Sequence, residues 1–210
     1  MNAQRPRLIV VAGPNGSGKT SITFQLRELR HKWMAGCMYI NPDDIAEHEL
    51  GGWNDQTSVL QAAVLATERR ETCLREGRDF AFETVFSTQE KLDFLRRAHR
   101  RGFFIRLFFV GTVSPAINAK RVATRYLQGG HAVPIEKIVS RYTRSMANAV
   151  RAATFVDRAY FYDNSEDVLP GVEPDWTPLF RTAEGRLVPK YPRPSQSWAA
   201  DLYDALLPDS

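Results

Sequence analysis

A chain of 210 residues with 43% hydrophobic and 25% charged residues can bury a sizeable core without disulfides or metals, and these proportions exclude an intrinsically disordered protein. Its 28 basic and 24 acidic residues leave a formal net charge of +4 that is not concentrated in one block, so anionic ligands are permitted but nucleic acid is not indicated. No run of about 18 apolar residues is present, so we expect neither a membrane span nor a membrane partner. The isolated Cys37 and Cys73 favour the reducing cytoplasm over a disulfide-bonded, secreted fold.

Short apolar segments alternate with segments of helical spacing along the first 164 residues. Strands are predicted over residues 8–12, 38–40, 80–82, 103–110 and 155–162. Helices are predicted over residues 18–31, 58–76, 89–101, 115–128 and 135–152. Because parallel strands need helical crossovers, this alternation predicts a three-layer α/β fold in which helices flank a mostly parallel sheet.

The last part of the chain differs in composition. Six of the twelve prolines fall between Pro170 and Pro194. Residues 179–181 and 187–188 flank a glycine-containing turn, which predicts a small hairpin, and residues 197–207 are suited to a short docking helix. We therefore predict a main domain over residues 1–164 and an accessory extension of the same domain over residues 165–210.

A glycine-rich motif follows the first predicted strand and matches the pattern G-x-x-x-x-G-K-[ST] at every fixed position. Its residues are Gly13, Pro14, Asn15, Gly16, Ser17, Gly18, Lys19 and Thr20. Glycines let successive backbone N–H groups point at a phosphate, and the following helix presents its positive N-terminus to the same anion. Lys19 is expected to reach the β- and γ-phosphates and Thr20 to ligate Mg²⁺. The motif predicts a nucleoside triphosphate site; the alternative is a plain glycine-rich turn.

Three carboxylates follow predicted strands: Asp43 and Asp44 come after the second, and Glu83 after the third. In an open α/β sheet the ligand binds at the carboxyl ends of the strands, so topology places these groups near the phosphate loop. A kinase needs a base that accepts the proton of an attacking hydroxyl, and a positioned aspartate can supply it. The alternatives are a helix N-cap for Asp43 or Asp44 and a solvated strand end for Glu83.

Basic residues occupy the two helices before and after a glycine-containing link at Gly129, Gly130 and His131. Arg121 and Arg125 share one face of the first helix. The second helix has Lys137, Arg141, Arg144 and Asn148 on one face. This arrangement predicts a lid that closes cations over a transferring phosphoryl group. The alternative is a pair of solvated charged faces.

Over residues 8–164 the chain resembles the zeta toxin family of P-loop kinases. The resemblance rests on residues 13–20, Asn41-Pro42-Asp43, Phe82-Glu83-Thr84, Thr124-Arg125-Tyr126 and residues 129–134. It implies an ATP- or GTP-dependent kinase that uses Mg²⁺ and phosphorylates the 3′-hydroxyl of the sugar in UDP-N-acetylglucosamine. It also implies that a small helical antitoxin covers the ATP entrance.

The resemblance also assigns roles to individual residues. Lys19 and Thr20 become phosphate and metal ligands, Asp43 the general base, Glu83 the carboxylate that holds the sugar, and Arg125 the first phosphate-clamping arginine. The family's second arginine falls near His131, and Arg121, Arg141 and Arg144 are the candidates to replace it. The full expected sets are residues 13–20, Arg121, Arg125 and Arg141 for ATP, and Asp43, Asp44, Glu83, Thr84, His131 and Arg144 for the acceptor.

Two other functions remain open at this point. One is a polynucleotide kinase or another nucleotide kinase. A polynucleotide site combines stacking aromatic residues with basic residues, whereas Trp53, Trp176 and Trp198 are not interleaved with basic runs. The other is a nucleotide-gated module whose regulated event is binding to the antitoxin.

Overall fold

The computed structural model describes residues 5–28, 33–51, 56–128, 133–167 and 177–208. The strands are β1 (Arg7–Ala12), β2 (Met38–Ile40), β3 (Phe80–Thr84), β4 (Phe104–Gly111), β5 (Arg158–Asp163), β6 (Phe180–Ala183) and β7 (Arg186–Leu187). The helices are α1 (Lys19–Glu28), α2 (Pro42–Glu49), α3 (Gln56–Glu76), α4 (Gln89–Arg100), α5 (Pro115–Leu127), α6 (Ile135–Ala153) and α7 (Ser197–Asp204).

The described strands form one sheet in the order β2-β3-β1-β4-β5-β6-β7. The first five are parallel, with Val10 of β1 opposite Phe82 of β3 and Leu107 of β4, and β6 and β7 are antiparallel additions at one edge. β1 lies at the centre of the parallel part, which explains its unbroken apolar run, because a strand covered on both faces has no polar side. The α/β fold predicted from the sequence is confirmed.

Helices cover both faces of the sheet because successive side chains of a strand point to opposite sides. Leu8 and Val10 pack with α3, α4, α6 and α7 in the larger core cluster. Ile9 and Val11 pack with α1 on the other face, in a smaller cluster rich in aromatic rings. Both faces are thereby buried, and the carboxyl end of β1 opens into the glycine-rich loop.

The structure differs from the predicted elements at two places, and a third prediction falls outside the described residues. The break expected at Asn41-Pro42 is the start of a helix, α2, whose N-cap is Asn41 and whose first turn contains the proline. β5 begins at Arg158, because Phe155 and Val156 donate their N–H groups back to Ala152 and end α6 with a turn. The predicted C-terminal end of α1 falls on residues 29–32, which lie outside the described ranges.

The C-terminal extension continues the main sheet through the predicted hairpin, because β6 pairs with β5. The docking helix α7 places Trp198 directly on Gly111: a Cβ added at that glycine would lie 2.5 Å from the indole ring. The Trp198 indole nitrogen also donates to Asp163 at 2.8 Å. The extension therefore shares the hydrophobic core with the parallel strands, while the boundary at residue 164 stays a prediction. None of the helices in the described part of the chain is long and apolar enough to span a bilayer.

Candidate active site

The glycine-rich loop (residues 13–20) connects β1 to α1 at the carboxyl end of the sheet. Gly13 has φ +154° and donates its N–H to the Thr84 carbonyl at 3.2 Å, which ties the loop to the end of β3. A Cβ at Gly13 would lie 2.3 Å from the Val110 carbonyl oxygen. At Gly16, φ is +75° and a Cβ would lie 2.6 Å from the Asn118 carbonyl oxygen. The loop is packed so tightly that these two positions require glycine.

We expect the substitution Gly16→Ala to abolish nucleotide binding while leaving the chain folded. The added methyl group meets the backbone of α5 at 2.6 Å and φ +75° is strained for alanine, so the loop must shift and lose the N–H geometry that a phosphate needs. The measurement is titration with ATP by calorimetry, with Gly77→Ala as the control, because that glycine has a similar φ of +66° and open space around its Cβ. Unchanged ATP affinity in Gly16→Ala would contradict the packing argument.

Backbone donors of the loop are available to a ligand. Within the part of the chain that the structure describes, the N–H groups of Gly16, Gly18 and Lys19 donate to no other residue. Lys19 and Thr20 begin α1, so the first N–H groups of that helix also face the loop without helical acceptors. Converging free N–H groups at a helix N-terminus form an anion site, which is the property that phosphate binding needs.

Two asparagines that the sequence analysis missed, the buried Asn118 and the partly buried Asn164, hold the loop in shape. Asn118 of α5 donates to the Asn15 carbonyl at 2.6 Å and accepts the hydroxyl hydrogen of Thr112. Asn164, after β5, donates to the Ser17 carbonyl at 2.8 Å. Asn118 precedes the buried Val122 by one helical turn, so a polar residue on the buried face of α5 was the available signal.

The Lys19 side chain folds back over the loop, where its Nζ donates to the carbonyls of Gly13 at 2.9 Å and Pro14 at 3.0 Å. Burial lowers the pKa of Lys19 to about 8, because desolvation disfavours the ammonium form. The negative charges of Glu83 and Asp43 oppose this lowering of the pKa, and the positive charge of Arg125 adds to it. All three groups therefore lie close enough to act on the ammonium that would meet the phosphates.

We expect nucleotide affinity to fall as the pH rises above about 8. With its pKa near 8, Lys19 is charged below that pH and neutral above it, and a bound triphosphate favours the charged form. Binding therefore takes up a proton above pH 8, and the affinity drops by up to about tenfold per pH unit. The measurement is the ATP dissociation constant at pH values from about 6.5 to about 9.5, a range centred on that pKa. Lys19→Arg is the matched control, because a guanidinium does not titrate there; the same decline in this variant would contradict the assignment.

The carboxylate of Glu83 is hydrogen-bonded on both oxygens. Thr20 donates its hydroxyl to Oε2 at 3.3 Å, and Tyr39 donates its phenol to Oε1 at 2.8 Å. Burial, followed by the charge of Glu83 and the hydrogen bond to it, raises the pKa of Tyr39, so this phenol stays a donor. The reading of Glu83 as a solvated strand end is therefore wrong: its carboxylate connects the loop to β2.

Asp43 and Asp44 lie in the first turn of α2, but neither caps it. The cap is Asn41, whose side-chain oxygen accepts the Asp43 N–H at 3.0 Å, so the N-cap alternative for the aspartates is wrong. Asp44 accepts a hydrogen bond from the Asn41 amide at 3.3 Å, and burial raises the pKa of its carboxyl group. The carboxylate of Asp43 accepts no hydrogen bond from any described residue and is exposed. It is therefore free to accept a proton from a ligand.

The basic residues of the predicted lid take different places. Arg141 donates to the Asn15 side chain at 3.3 Å and so reaches the loop, and Arg125 acts electrostatically on Lys19 from the last turn of α5. The guanidinium of Arg121 instead binds Asp167 at 2.8 Å and the Asn164 carbonyl at 2.6 Å, which joins α5 to the segment after β5.

Three further residues of the expected sets, and Asn148 of the predicted lid, complete the comparison. Arg144 donates to Ser140 of its own helix and is exposed. Asn148 does not share the exposed basic surface of α6, because its side chain is buried and donates to the carbonyls of Phe86 and Thr88. The hydroxyl of Thr84 accepts the N–H of Phe86 at 3.1 Å. His131 lies outside the described residues, as do Gly129 and Gly130.

A cavity of about 310 Å³ opens beside the loop, between α1 and β2. It is lined by Thr20, Thr23, Phe24, Arg27, Tyr39, Asn41, Asp44 and Glu83. Of these, Thr23, Phe24, Arg27, Tyr39 and Asn41 were missed by the sequence analysis. Phe24 and Arg27 are one turn apart on the helix that follows the loop, and this spacing was the signal available in the sequence. Both side chains are exposed in the structure. The cavity lies next to the residues that would hold a triphosphate.

Oxygen donors suited to Mg²⁺ also meet at this point. The Thr20 hydroxyl and the Glu83 carboxylate are in contact beside the loop, and hard oxygen ligands are those that Mg²⁺ takes, usually together with substrate phosphates. The residues present therefore fit the ion.

A parallel sheet, a glycine-rich loop that offers free N–H groups, and a partly buried lysine near carboxylates define the class: the protein is a kinase-like P-loop phosphotransferase. It belongs to the Zeta toxin family, whose family model matches residues 1–169. The recognition made from the sequence motifs is thereby confirmed.

Individual relatives are more distant. An uncharacterized protein of Haemophilus influenzae is 25% identical over 136 residues, which cover 65% of this chain and 92% of that protein. The structure of the PezAT chromosomal toxin-antitoxin system of Streptococcus pneumoniae matches with a TM-score of 0.62 at 15% identity, covering 98% of this chain and 80% of that chain. The AvrRxo1-ORF1:-ORF2 structure with ATP matches with a TM-score of 0.65 at 16% identity, covering 98% and 64%. At these identities the two structures show a shared fold.

Proposed function

We propose that this protein is an ATP-dependent kinase that transfers the γ-phosphoryl group to a sugar hydroxyl of a nucleotide sugar similar to UDP-N-acetylglucosamine. The observation that carries the proposal is the position of the cavity. Its acidic wall, formed by Asp44 and Glu83, adjoins the phosphate loop at Thr20. A hydroxyl held there meets both the terminal phosphate and a carboxylate, which is the geometry that phosphoryl transfer needs.

The triphosphate is bound by the loop. The free N–H groups of Gly16, Gly18 and Lys19 donate to its oxygens, and the Lys19 ammonium moves from the carbonyls of Gly13 and Pro14 to the β- and γ-phosphates. Arg141 and Arg125 add positive charge from α6 and α5, which offsets the charge that develops on the transferring group. Mg²⁺ bound by Thr20, with Glu83 beside it, would neutralise phosphate charge.

The chemical step uses the free carboxylate of Asp43. The acceptor hydroxyl oxygen forms a bond to the γ-phosphorus, the bond from that phosphorus to the β-phosphate oxygen breaks, and ADP leaves. The hydroxyl proton passes to the Asp43 carboxylate. Glu83, fixed by the Tyr39 phenol, accepts a hydrogen bond from the sugar and orients it.

The comparisons support ATP and an antitoxin as ligands of this chain. The AvrRxo1-ORF1:-ORF2 structure, which has the same fold, contains ATP, and the PezAT structure is that of a toxin-antitoxin system. We propose ATP as the phosphoryl donor, in preference to GTP, and a small helical antitoxin as a partner. We also place the protein in the cytoplasm, where both nucleotides are available.

The test is ADP release with ATP and Mg²⁺ in the presence of UDP-N-acetylglucosamine, UDP-glucose, UDP, N-acetylglucosamine or a 5′-hydroxyl oligonucleotide. We expect turnover with UDP-N-acetylglucosamine and a product heavier by ~80 Da, the mass of one phosphoryl group. Phosphorylation of the oligonucleotide alone would replace the proposal with a polynucleotide kinase. ATP binding without any phosphorylated product would favour a nucleotide-gated binding module.

A further inference from the structure

The cavity beside the loop contains one basic side chain, and that side chain forms no direct ion pair with a described residue. Of the side chains that line the cavity, Arg27 alone is basic, while Asp44 and Glu83 are acidic. Arg27 is exposed and forms no ion pair within the described ranges. The Arg27 charge acts on the Asp44 carboxyl group without a direct ion pair and opposes the rise of its pKa. Its N–H groups therefore remain available to an anionic group, which a neutral sugar lacks.

Arg27 is held in place by a ring that is itself fixed. Its guanidinium carbon lies 4.9 Å from the centre of the Tyr39 ring, a cation–π contact that leaves the N–H groups at the edge of the guanidinium free to donate. The Tyr39 phenol donates to Glu83 at 2.8 Å. The cation is therefore positioned relative to the carboxylate that orients the acceptor hydroxyl.

The same helix sets the distance between the cation and the phosphate loop. Arg27 follows Lys19 by eight positions on α1, which corresponds to about 12 Å along the helix axis. Phe24, 60% exposed, lies one turn before Arg27 and lines the same cavity. A molecule with its hydroxyl at Glu83 and a phosphate group at Arg27 would pass the exposed ring of Phe24, on which a sugar or base can pack.

We propose that Arg27, positioned by Tyr39, recognises a phosphate or diphosphate group of the acceptor and so restricts the enzyme to phosphorylated sugars or nucleotides. This inference rests on the proposed kinase function, and it names a specificity residue for that function. A planar guanidinium binds phosphate oxygens through two parallel hydrogen bonds, whereas glutamine offers neither the charge nor the paired geometry.

The first experiment measures binding, so that it does not depend on turnover. The protein is saturated with a non-hydrolysable ATP analogue and Mg²⁺, and titrated with UDP and with uridine. We expect the wild type to bind UDP at least tenfold more tightly than uridine, and Arg27→Gln to lose about tenfold to a hundredfold in UDP affinity with uridine unchanged, the effect of removing charge-assisted hydrogen bonds. Equal affinities in the wild type, or a preference for UDP that persists in Arg27→Gln, would overturn the inference.

The second experiment measures transfer and separates the two proposals. With an acceptor found in the ADP-release assay, Arg27→Gln should raise KM for a phosphorylated acceptor and leave KM for ATP and the thermal midpoint unchanged, and Arg27→Lys should restore part of the affinity. The matched control is Arg75→Gln, which removes an exposed arginine from the far end of α3. Turnover that Arg27→Gln does not alter refutes the role of Arg27 alone. Selective UDP binding without any turnover refutes the kinase and leaves the anion site standing.

Discussion

Replacing Lys19 with methionine should lower ADP formation by about 100- to 1000-fold, the cost of removing one fixed donor from a developing charge. We expect the loss to have two parts, because the proposed role of Lys19 is to neutralise the bound triphosphate and also to stabilise the transferring phosphoryl group. In the free protein its Nζ is already placed over the loop by the carbonyls of Gly13 and Pro14, so little reorganisation is needed to reach a phosphate. Methionine keeps the length of the side chain and removes only the charge and the donors.

Two measurements separate these parts. Calorimetric titration with ATP reports the loss of binding, and single-turnover ADP formation at saturating ATP reports the loss in the chemical step. Lys91→Met is the control, because Lys91 lies on α4 and pairs with Glu90 at 2.9 Å, away from the loop. Lys19→Met with wild-type binding and turnover would show that the loop does not hold the reacting triphosphate.

Replacing Asp43 with asparagine should lower the rate of phosphoryl transfer by about 100- to 10,000-fold, the usual effect of losing a general base. Asparagine has nearly the same shape but cannot accept the hydroxyl proton. Because the Asp43 backbone, and not its side chain, contributes to the cap of α2, the helix should remain intact. ATP affinity should stay within about threefold of the wild type, since exposed charges act weakly on one another.

The readout is kcat at saturating ATP and acceptor, together with its pH profile. Loss of the base should remove the acidic limb of the profile, while a merely structural change would lower the rate at every pH alike. Glu47→Gln is the matched control, because it removes an exposed carboxylate from the same helix. Full turnover by Asp43→Asn would show that another group accepts the proton, with Glu83 as the next candidate.

The amino-acid sequence by itself determined the features that depend on neighbouring residues. The loop between β1 and α1 could be predicted because its glycines, Lys19 and Thr20 are consecutive, and its function follows from local backbone geometry. The places of Asp43 and Glu83 followed from the rule that ligands bind at the carboxyl ends of parallel strands. Apart from α2, which begins where a break was expected, the described strands and helices were predictable within a few residues because hydrophobic periodicity is also a local property.

Only the tertiary structure decided which of several similar residues lie near the glycine-rich loop. Arg121 and Arg125 are one turn apart on α5, yet Arg121 binds Asp167 after β5 and Arg125 acts on Lys19. The partners of such a side chain come from distant parts of the chain, and pattern along one helix does not reveal them. The same holds for Asn118 and Asn164, whose roles depend on contacts with the loop more than a hundred residues away.

The cavity between α1 and β2 shows the same limit. Phe24 and Arg27 belong to α1 and Tyr39 to β2, and they meet because β2 lies at the edge of the sheet beside β3, which carries Glu83. Strand order is set by how the crossovers pack, so the sequence could name the acids of the site but not the wall opposite them. The glycine-rich loop is a local feature and could be predicted from the sequence, whereas the cavity beside it is lined by side chains that only folding brings together.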